Sequence, residues 1–586
     1  MTPRLVTRAL AFSLFVLVLN TGYVASRNLM PEAPLSDYAT RHQGIKADAP
    51  APLGPQPEAE EAGRQQRPLE CFQVAQPVLG PNGPVYQEVA RGNGDGKGKP
   101  PTGPTECKVQ LMDHSFGNSF DKPFVGEYTP PGCDFNRVIV NFTATSAGRQ
   151  LDRLALWYLG DTEVWRTSTA EPRAAPGIIW TYWKDMTPYL SLWKSPQKII
   201  FDLPNLIDDR YTGPFNCTLT ATFFRSDVQT DNAPPADLII PISSRNASSN
   251  TGSAWQVPER EAVSTIKFPR NANRAVFSVS ANGQGTEEFW WSNVLQSDAA
   301  AFNATVGMAP AGSPWREVQV LIDDQLAGVQ WPFPVIFTGG VVPSFHRPLV
   351  GLDAYDLREH EVDISPWLPV LSDGKEHTFK IKVAGIADEG DRRPEWTQNL
   401  SYTNNATLGQ FGRNGFNSFI ITGTDALLNG LVKYQSTYSY PLIVNQTANM
   451  TAAGDLSLDA TLFQELKLEV EGAGVYPTGL EAYNAPNRNR QGQSGQYQVS
   501  KLSTFRNGTA VFNMPADMKN SSAFGTTRQV FRFSGGRDGA RDIELYTRRV
   551  RASNNTVTSD EEKSADGRER VLSVPSLSGD ANGDGQ

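Results

Sequence analysis

Cysteine and histidine are scarce in this chain of 586 residues, with four Cys and five His. Such small numbers exclude a cysteine-dense scaffold and large metal clusters. Basic residues do not gather into a stripe, and 53 Lys+Arg against 62 Asp+Glu leave a net charge of −9. A nucleic-acid partner, which needs a basic surface to track phosphates, is therefore not expected. Beyond the N-terminal segment no apolar run is long enough to cross a bilayer, and the polar C-terminus lacks the hydrophobic tail of a lipid-anchor signal. There is no Gly-x-Ser-x-Gly elbow and no His-Glu-x-x-His pair, so elbow-type serine hydrolases and the common zinc peptidases lose their support. The run Gly92–Lys99 lacks phosphate-loop spacing and reads as a surface loop, and Asp580–Gly585 stops before the bidentate Glu of a calcium loop. No metal or organic cofactor is expected.

The N-terminus carries Arg4 and Arg8, then the apolar run Ala9–Leu19, then small residues at Ala25 and Ser26. That order predicts a cleavable secretory signal over residues 1–26, with a membrane anchor as the alternative if cleavage fails. Eleven Asn-x-Ser/Thr sequons agree with a secreted or secretory-pathway glycoprotein: Asn141, Asn216, Asn246, Asn303, Asn399, Asn405, Asn445, Asn449, Asn507, Asn520 and Asn554. In an oxidising compartment the four cysteines, Cys71, Cys107, Cys133 and Cys217, suggest two disulfides with three possible pairings. Proximity along the chain favours Cys71–Cys107 and Cys133–Cys217.

Residues 27–66 are rich in Pro, Ala, Glu and Gln and poor in large apolar groups, which predicts a disordered linker; residues 556–586 read as an equally solvated, disordered tail. Between them the pattern is β. Val138, Val140, Phe142 and Ala144 alternate with polar neighbours, and the same period of two recurs in 218–224, 276–280, 318–322, 378–383 and 466–470. No segment beyond the signal keeps a helical period for three turns. Many short strands between Gly/Pro/Asn turns predict an all-β fold of sandwiches or jelly rolls. Soft boundaries near Pro234-Pro235 and Asp388–Pro394 divide it into 67–235, 236–400 and a third β region over 401–555.

Candidate chemistry rests on carboxylates beside aromatics. Leu151-Asp-Arg-Leu154 sets Asp152 and Arg153 at the mouth of an apolar strand. Asn282-Gly-Gln-Gly-Thr-Glu-Glu-Phe-Trp-Trp-Ser-Asn293 joins Glu287 and Glu288 to three aromatics after a Gly-rich turn, and Val341-Val-Pro-Ser-Phe-His-Arg-Pro348 holds His346 and Arg347 between prolines. Paired carboxyl groups at a sugar-binding cleft can activate water and donate protons, with burial deciding which does which. Each site also has a plain structural reading: a solvated strand end, turn charges, a packed loop histidine.

At these residues the sequence resembles the peptide N-glycanase A-type amidases, the peptide-N4-(N-acetyl-β-glucosaminyl)asparagine amidases. The resemblance is carried by His114-Ser-Phe-Gly-Asn-Ser-Phe-Asp-Lys-Pro-Phe-Val-Gly-Glu-Tyr-Thr-Pro-Pro131, by Leu151-Asp-Arg-Leu154 with Glu163-Val-Trp-Arg-Thr-Ser-Thr-Ala-Glu-Pro172 and Trp180-Thr-Tyr-Trp-Lys-Asp-Met186, and by the segments 283–293 and 342–351. It implies two adjacent jelly-roll sandwiches with an additional C-terminal β region and an active site where the sandwiches meet. The implied reaction cleaves the amide between the first N-acetylglucosamine and Asn of an N-glycopeptide or glycoprotein, leaving Asp and a glycosylamine. The resemblance makes Asp152 the base for water and Glu288 the second carboxyl, with Asp202 a third acidic candidate. Arg153, Glu287, Trp291, His346 and Arg347 become candidate substrate contacts. Arg153 beside Asp152 is expected to keep it ionised, and the aromatics around Glu288 to keep it protonated. A glycoside hydrolase built on the same two carboxyls and a non-catalytic glycan-binding sandwich remain as alternatives.

Overall fold

Alternating apolar residues form strands here because a pleated chain sends successive side chains to opposite faces, so one face can be buried while the other meets solvent or a second layer. The computed structural model describes residues 67–87, 106–226, 235–293, 310–385, 399–408, 412–428, 433–451, 453–472, 499–516, 521–536, 543–565 and 567–573, with 296, 299–300 and 308. Among them the α-helical pieces are single turns, α1 (Leu190–Trp193) and α2 (Leu368–Leu371). The all-β class expected from the sequence is what the structure shows. The signal segment, the linker 27–66, Asn303 and Asn520 lie outside the described residues.

The first unit contains β1 (Leu69–Cys71), β2 (Val78–Gly80), β3 (Gly83–Val85), β4 (Glu106–Phe116), β5 (Phe124–Tyr128), β6 (Arg137–Ser146), β7 (Leu154–Leu159), β8 (Thr162–Ser168), β9 (Ile178–Asp185), β10 (Gln197–Asp202) and β11 (Phe215–Phe224). One sheet runs β1-β9-β6-β11-β4 and the other β5-β10-β7-β8. Val138, Val140, Phe142 and Ala144 point into the core between them, as their alternation predicts, alongside Trp157, Trp165, Trp180 and Trp193. The second unit is smaller: β12 (Ala262–Lys267), β13 (Val276–Val279), β14 (Glu317–Ile322), β15 (Gln325–Gln330), β16 (His360–Asp363) and β17 (Glu376–Ala384) form a sheet β12-β17-β14-β15 and a ribbon β13-β16. Val318, Val320, Phe277 and Phe379 fill its core.

A third layer is a ten-stranded antiparallel sheet from β18 (Asn399–Leu408) to β27 (Glu569–Ser573). Its long members include β22 (Leu456–Gly472), β23 (Val499–Met514), β24 (Ser522–Gly536) and β25 (Ile543–Ser553). Its inner face shares one core with the loops of the second unit, Leu462, Leu502 and Phe531 packing with Phe289, Val341 and Phe345.

Two expectations are corrected. The region after 556, read as a disordered tail, carries β26 (Thr556–Ser564) and β27 (Glu569–Ser573). Its acidic run is paired rather than solvated: Asp560 accepts from buried Arg548 at 3.0 and 2.9 Å and from Arg570 at 2.5 Å, while Glu562 accepts from the Tyr546 hydroxyl at 2.8 Å. The cysteine pairing also differs. Cys107 is bonded to Cys133, and Cys71 and Cys217 are free and buried. Both free thiols face the first core, on β1 and β11, which two intervening strands hold apart at roughly 4.8 Å per step, beyond disulfide reach. Peptide mapping of unreduced protein is expected to find only the Cys107–Cys133 link among these four. Cys71 and Cys217 should alkylate only after denaturation; a crosslink from either would overturn the assignment.

Candidate active site

The neighbouring ends of two antiparallel strands bring the first carboxyls together. Leu154, opening β7, pairs with Ser168, closing β8. Asp152 therefore leaves one strand at the end of the sheet where Glu171 leaves the next. Short hydrogen bonds stiffen this corner: Arg153 N donates to Thr169 Oγ1 at 2.9 Å, Thr169 N to the Arg153 carbonyl at 2.8 Å, and Arg153 Nη2 to Gln150 Oε1 at 2.9 Å.

Glu288 arrives from the second unit. It follows a tight turn over 285–287, in which its N–H donates to the Gly285 carbonyl at 3.3 Å. Gly283 is required there, since a Cβ would sit 1.8 Å from the Glu287 carbonyl oxygen. The aromatics behind it, Phe289, Trp290 and Trp291, anchor the turn in the core shared with the C-terminal sheet. Arg166 of β8 hydrogen-bonds Asn282, tying the turn to the first unit.

A loop of the second unit closes over both carboxyls. Thr338 Oγ1 donates to the Thr169 carbonyl at 2.8 Å, and the Gly339 N–H donates to the Asp152 carboxyl. A Cβ on Gly339 would lie 2.6 Å from Asp152 Oδ1 and 4.0 Å from Glu171 Cδ. Arg347 Nη2 lies 3.1 Å from Glu171 Oε2 and donates to the Glu171 carbonyl at 3.2 Å.

Burial raises all three carboxyls, since a charge is poorly solvated there. For Asp152 the rise is opposed by its own N–H, the Arg153 cation, the Gly339 N–H and Arg347. Glu288 is raised by burial and then by the Asp152 charge, with only Arg153 opposing. Asp152 therefore ionises before Glu288. Glu171 is pushed up to about 7, burial and Asp152 outweighing Arg347. The expectation that Arg153 keeps Asp152 ionised in acid is thus corrected: Arg153 does favour the carboxylate, but burial is the larger influence and raises it.

The other candidates separate clearly. Asp202 does not join the cluster: Ile199, Phe201 and Leu203 face the first core, so Asp202 points to the opposite face with Ile200, where Asp121 is its charged neighbour. Glu287 is engaged by Arg316 at 2.5 and 2.8 Å and by Asn293 at 3.0 Å. Trp291 is core, edge-on to Phe289. His346 is 1% exposed, and burial and Arg506 push its pKa down, so the ring is neutral and its Nε2–H donates to the Gly340 carbonyl at 2.9 Å. It is a packed loop histidine rather than a substrate contact. Arg153 and Arg347 stay at the carboxyl cluster. Glu171 was not nominated from sequence, although Ala170-Glu-Pro172 lies inside the stretch that carries the resemblance. A cleft of about 2080 Å³ lined by both units takes in Gly283–Glu287, Trp290 and Asp202, and none of Asp152, Glu171 and Glu288 lines it. Among the described residues no group of side chains is arranged to hold a metal ion.

The family model described as peptide N-acetyl-β-D-glucosaminyl asparaginase amidase A matches residues 93–405, and a model of the PNGase A C-terminal domain matches 378–442. The chain is 37% identical over 296 residues to the peptide-N4-(N-acetyl-β-glucosaminyl)asparagine amidase A of Prunus dulcis, covering 47% of this chain and 51% of that protein. It thus spans about half the length of that relative. Among solved structures it is similar to a recombinant peptide N-glycanase F (TM-score 0.31, 12% identity, 49% of this chain and 90% of that one). The PNGase F of Flavobacterium meningosepticum gives TM-score 0.29 at 11% identity, over 49% of this chain and 91% of that one.

Two measurements test this geometry. Gly339→Ala should abolish most activity while leaving the far-ultraviolet circular dichroism unchanged, because its methyl must displace the Asp152 carboxyl; parent-like activity would show that the contact is dispensable. Raised carboxyls also make stability depend on pH. Below the ordinary value of 4.5 folded and unfolded chains are both protonated; above it the unfolded chain releases protons that Glu171 and Glu288 retain. Their contribution is thus full in acid and lost as pH rises through their folded values. Tm should fall by several degrees from pH 5 to pH 8, and Glu288→Gln should lessen that fall; an equal fall in parent and variant would contradict it.

Proposed function

Because the chain belongs to the peptide N-acetyl-β-D-glucosaminyl asparaginase amidase A family, whose model matches residues 93–405, we propose that it hydrolyses the amide joining the proximal N-acetylglucosamine to Asn in N-glycopeptides or glycoproteins. The observation that carries this reading is the half-buried group Asp152, Glu171 and Glu288 with unequal support: Asp152 faces two N–H groups and two cations, Glu288 one cation. An amide is a weak electrophile, and its hydrolysis needs a base for water and a donor for the leaving nitrogen. Unequal acidities supply both from the same residue type.

In this reading the Asp152 carboxylate takes a proton from water as the water oxygen bonds to the Asn side-chain carbonyl carbon. Arg153 stands beside both carboxyls, and its buried Nε has no partner in the protein, which suits it to the developing oxyanion. The C–N bond then breaks, and the proton of Glu288 goes to the departing nitrogen. The peptide is left with Asp, and the glycan leaves as a glycosylamine that water converts to the free sugar and ammonia. Glu171, held by Arg347, keeps that guanidinium at the cluster. The basic, apolar N-terminus and the sequons support action in the secretory pathway or outside the cell.

The test uses the full chain from a secreting host, a defined N-glycopeptide and heavy-oxygen water, followed by mass spectrometry. The expected product is peptide with heavy-labelled Asp, and Asp152→Asn and Glu288→Gln should each slow its formation about 10²–10⁴-fold. An intact Asn bearing one sugar would move the activity to glycoside hydrolysis, and binding without turnover to a lectin-like role. The parent's rate should also be bell-shaped in pH. It falls in acid as Asp152 gains a proton and in alkali as Glu288 loses one; a rate rising steadily into alkali would sink the acid assignment.

A further inference from the structure

Three of the buried polar side chains on the inner face of the C-terminal sheet form one cross-strand row. Gln464 on β22, Arg506 on β23 and Gln529 on β24 are cross-strand partners, and each is 0% exposed. Around them lie Leu462, Leu466, Leu502, Ala510 and Phe531. Burying two amides and a guanidinium among such residues costs stability that apolar side chains of similar volume would not, and Arg506 adds an unpaired cation. Its Nε and Nη2 have no protein partner, and no ion pair to it occurs among the described residues.

All three side chains point at one segment. Gln464 Nε2 donates to the Pro334 carbonyl at 2.7 Å, Arg506 Nη1 to His346 Nδ1 at 3.4 Å, and Gln529 Nε2 to the Val350 carbonyl at 2.6 Å. Thr527 Oγ1 donates to the Phe345 carbonyl at 3.1 Å and Ser344 Oγ to the Phe524 carbonyl at 3.0 Å. Gly508 and Gly525 let the segment lie close, since a Cβ at either would meet Phe345 at 3.2 Å or Ser344 at 2.9 Å. The segment so held, 334–350, is the one that sends the Gly339 N–H to Asp152 and Arg347 to Glu171. His346 sits between these two duties, its Nδ1 toward Arg506 and its Nε2 on Gly340.

We propose that the buried row Gln464–Arg506–Gln529 is a positioning device for catalysis, fixing the 334–350 segment so that the C-terminal sheet, which supplies none of the three carboxyls, sets the geometry of Asp152 and Glu171. Arg506, through His346, is its central member. The inference rests on the amidase reading for its kinetic part and on geometry alone for its structural part. A displacement of the order of 1 Å in such a segment costs up to about 10²-fold in rate.

The full chain is compared with Arg506→Met, Arg506→Lys and Gln529→Leu. Arg506→Met should lower kcat about 10–100-fold with KM within about twofold and Tm equal or higher, because an unpaired buried charge has been removed. Arg506→Lys, which keeps a donor for His346, should recover part of kcat. Hydrogen exchange read by mass spectrometry should show faster exchange in 334–351 for Arg506→Met, with the strands of the first unit unchanged. A variant with parent kcat and parent exchange in 334–351 overturns the proposal, as does a kcat loss that only tracks a lower Tm. Should Arg506→Met fail to fold, Gln529→Leu is judged by the same criteria. Should the parent show no amidase activity, the reading of the reaction fails and exchange alone decides: faster exchange confined to 334–351 sustains the positioning role, and unchanged exchange ends it.

Discussion

Charge on Asp152 raises the cost of charge on both Glu171 and Glu288, and much of the surrounding architecture follows from that restriction. Two guanidinium groups, Arg153 and Arg347, offset part of the cost, and the N–H of Gly339 offsets more of it at Asp152 alone. The asymmetry turns three chemically similar groups, all raised by burial, into one that ionises first and two that hold their protons longer. No loop could maintain it unaided, because a carboxyl free to rotate into water would return to its ordinary acidity. Hence the tight turn behind Glu288, the short bonds at Arg153 and the close approach at Gly339.

The site is assembled from pieces remote in sequence that meet at the end of one sheet. Pairing of Leu154 with Ser168 makes Asp152 and Glu171 neighbours. The second unit adds Glu288 from a turn and Gly339 and Arg347 from a loop, and it is docked on β8 through Ser168 N to the Ala354 carbonyl and Leu357 N to the Arg166 carbonyl. Backbone bonds of this kind fix position without regard to side-chain charge, so the acidities can be tuned on a frame that does not itself titrate.

Much of this was legible in the sequence, and the exceptions have physical reasons. Strand alternation identified the faces of β6, β11 and β14, and the motifs at Asp152 and Glu288 identified two of the three carboxyls. Asp202 was misjudged although the same alternation, with Phe201 and Leu203 facing inward, already turns it away from the core. Glu171 went unnominated because nothing local distinguishes it; its significance comes from Arg347, which is 176 residues away. His346 and Trp291 were candidate substrate contacts beside a plain reading of His346 as packed, and the C-terminal sheet covers both; a covering layer more than 100 residues downstream leaves no mark on the motif it covers. The cysteine pairing failed for a related reason: strand order, not distance along the chain, decides which thiols meet.

The ten-stranded sheet also has a bearing on timing. Arg548, 461 residues beyond Gln87, donates to its carbonyl at 2.6 Å, so the last strands clasp one of the earliest described segments. A chain emerging from the ribosome has its acidic residues by 288 but lacks the strands that end at Gly536 and Ser553. Long-range closures of this kind form late. Under the proposed chemistry, the nascent polypeptide is thus incompetent until the strands through Ser573 have been made, although it bears eleven sequons of its own. Completion of the fold then acts as the maturation step, separating the period in which the chain acquires glycans from the period in which it can remove them.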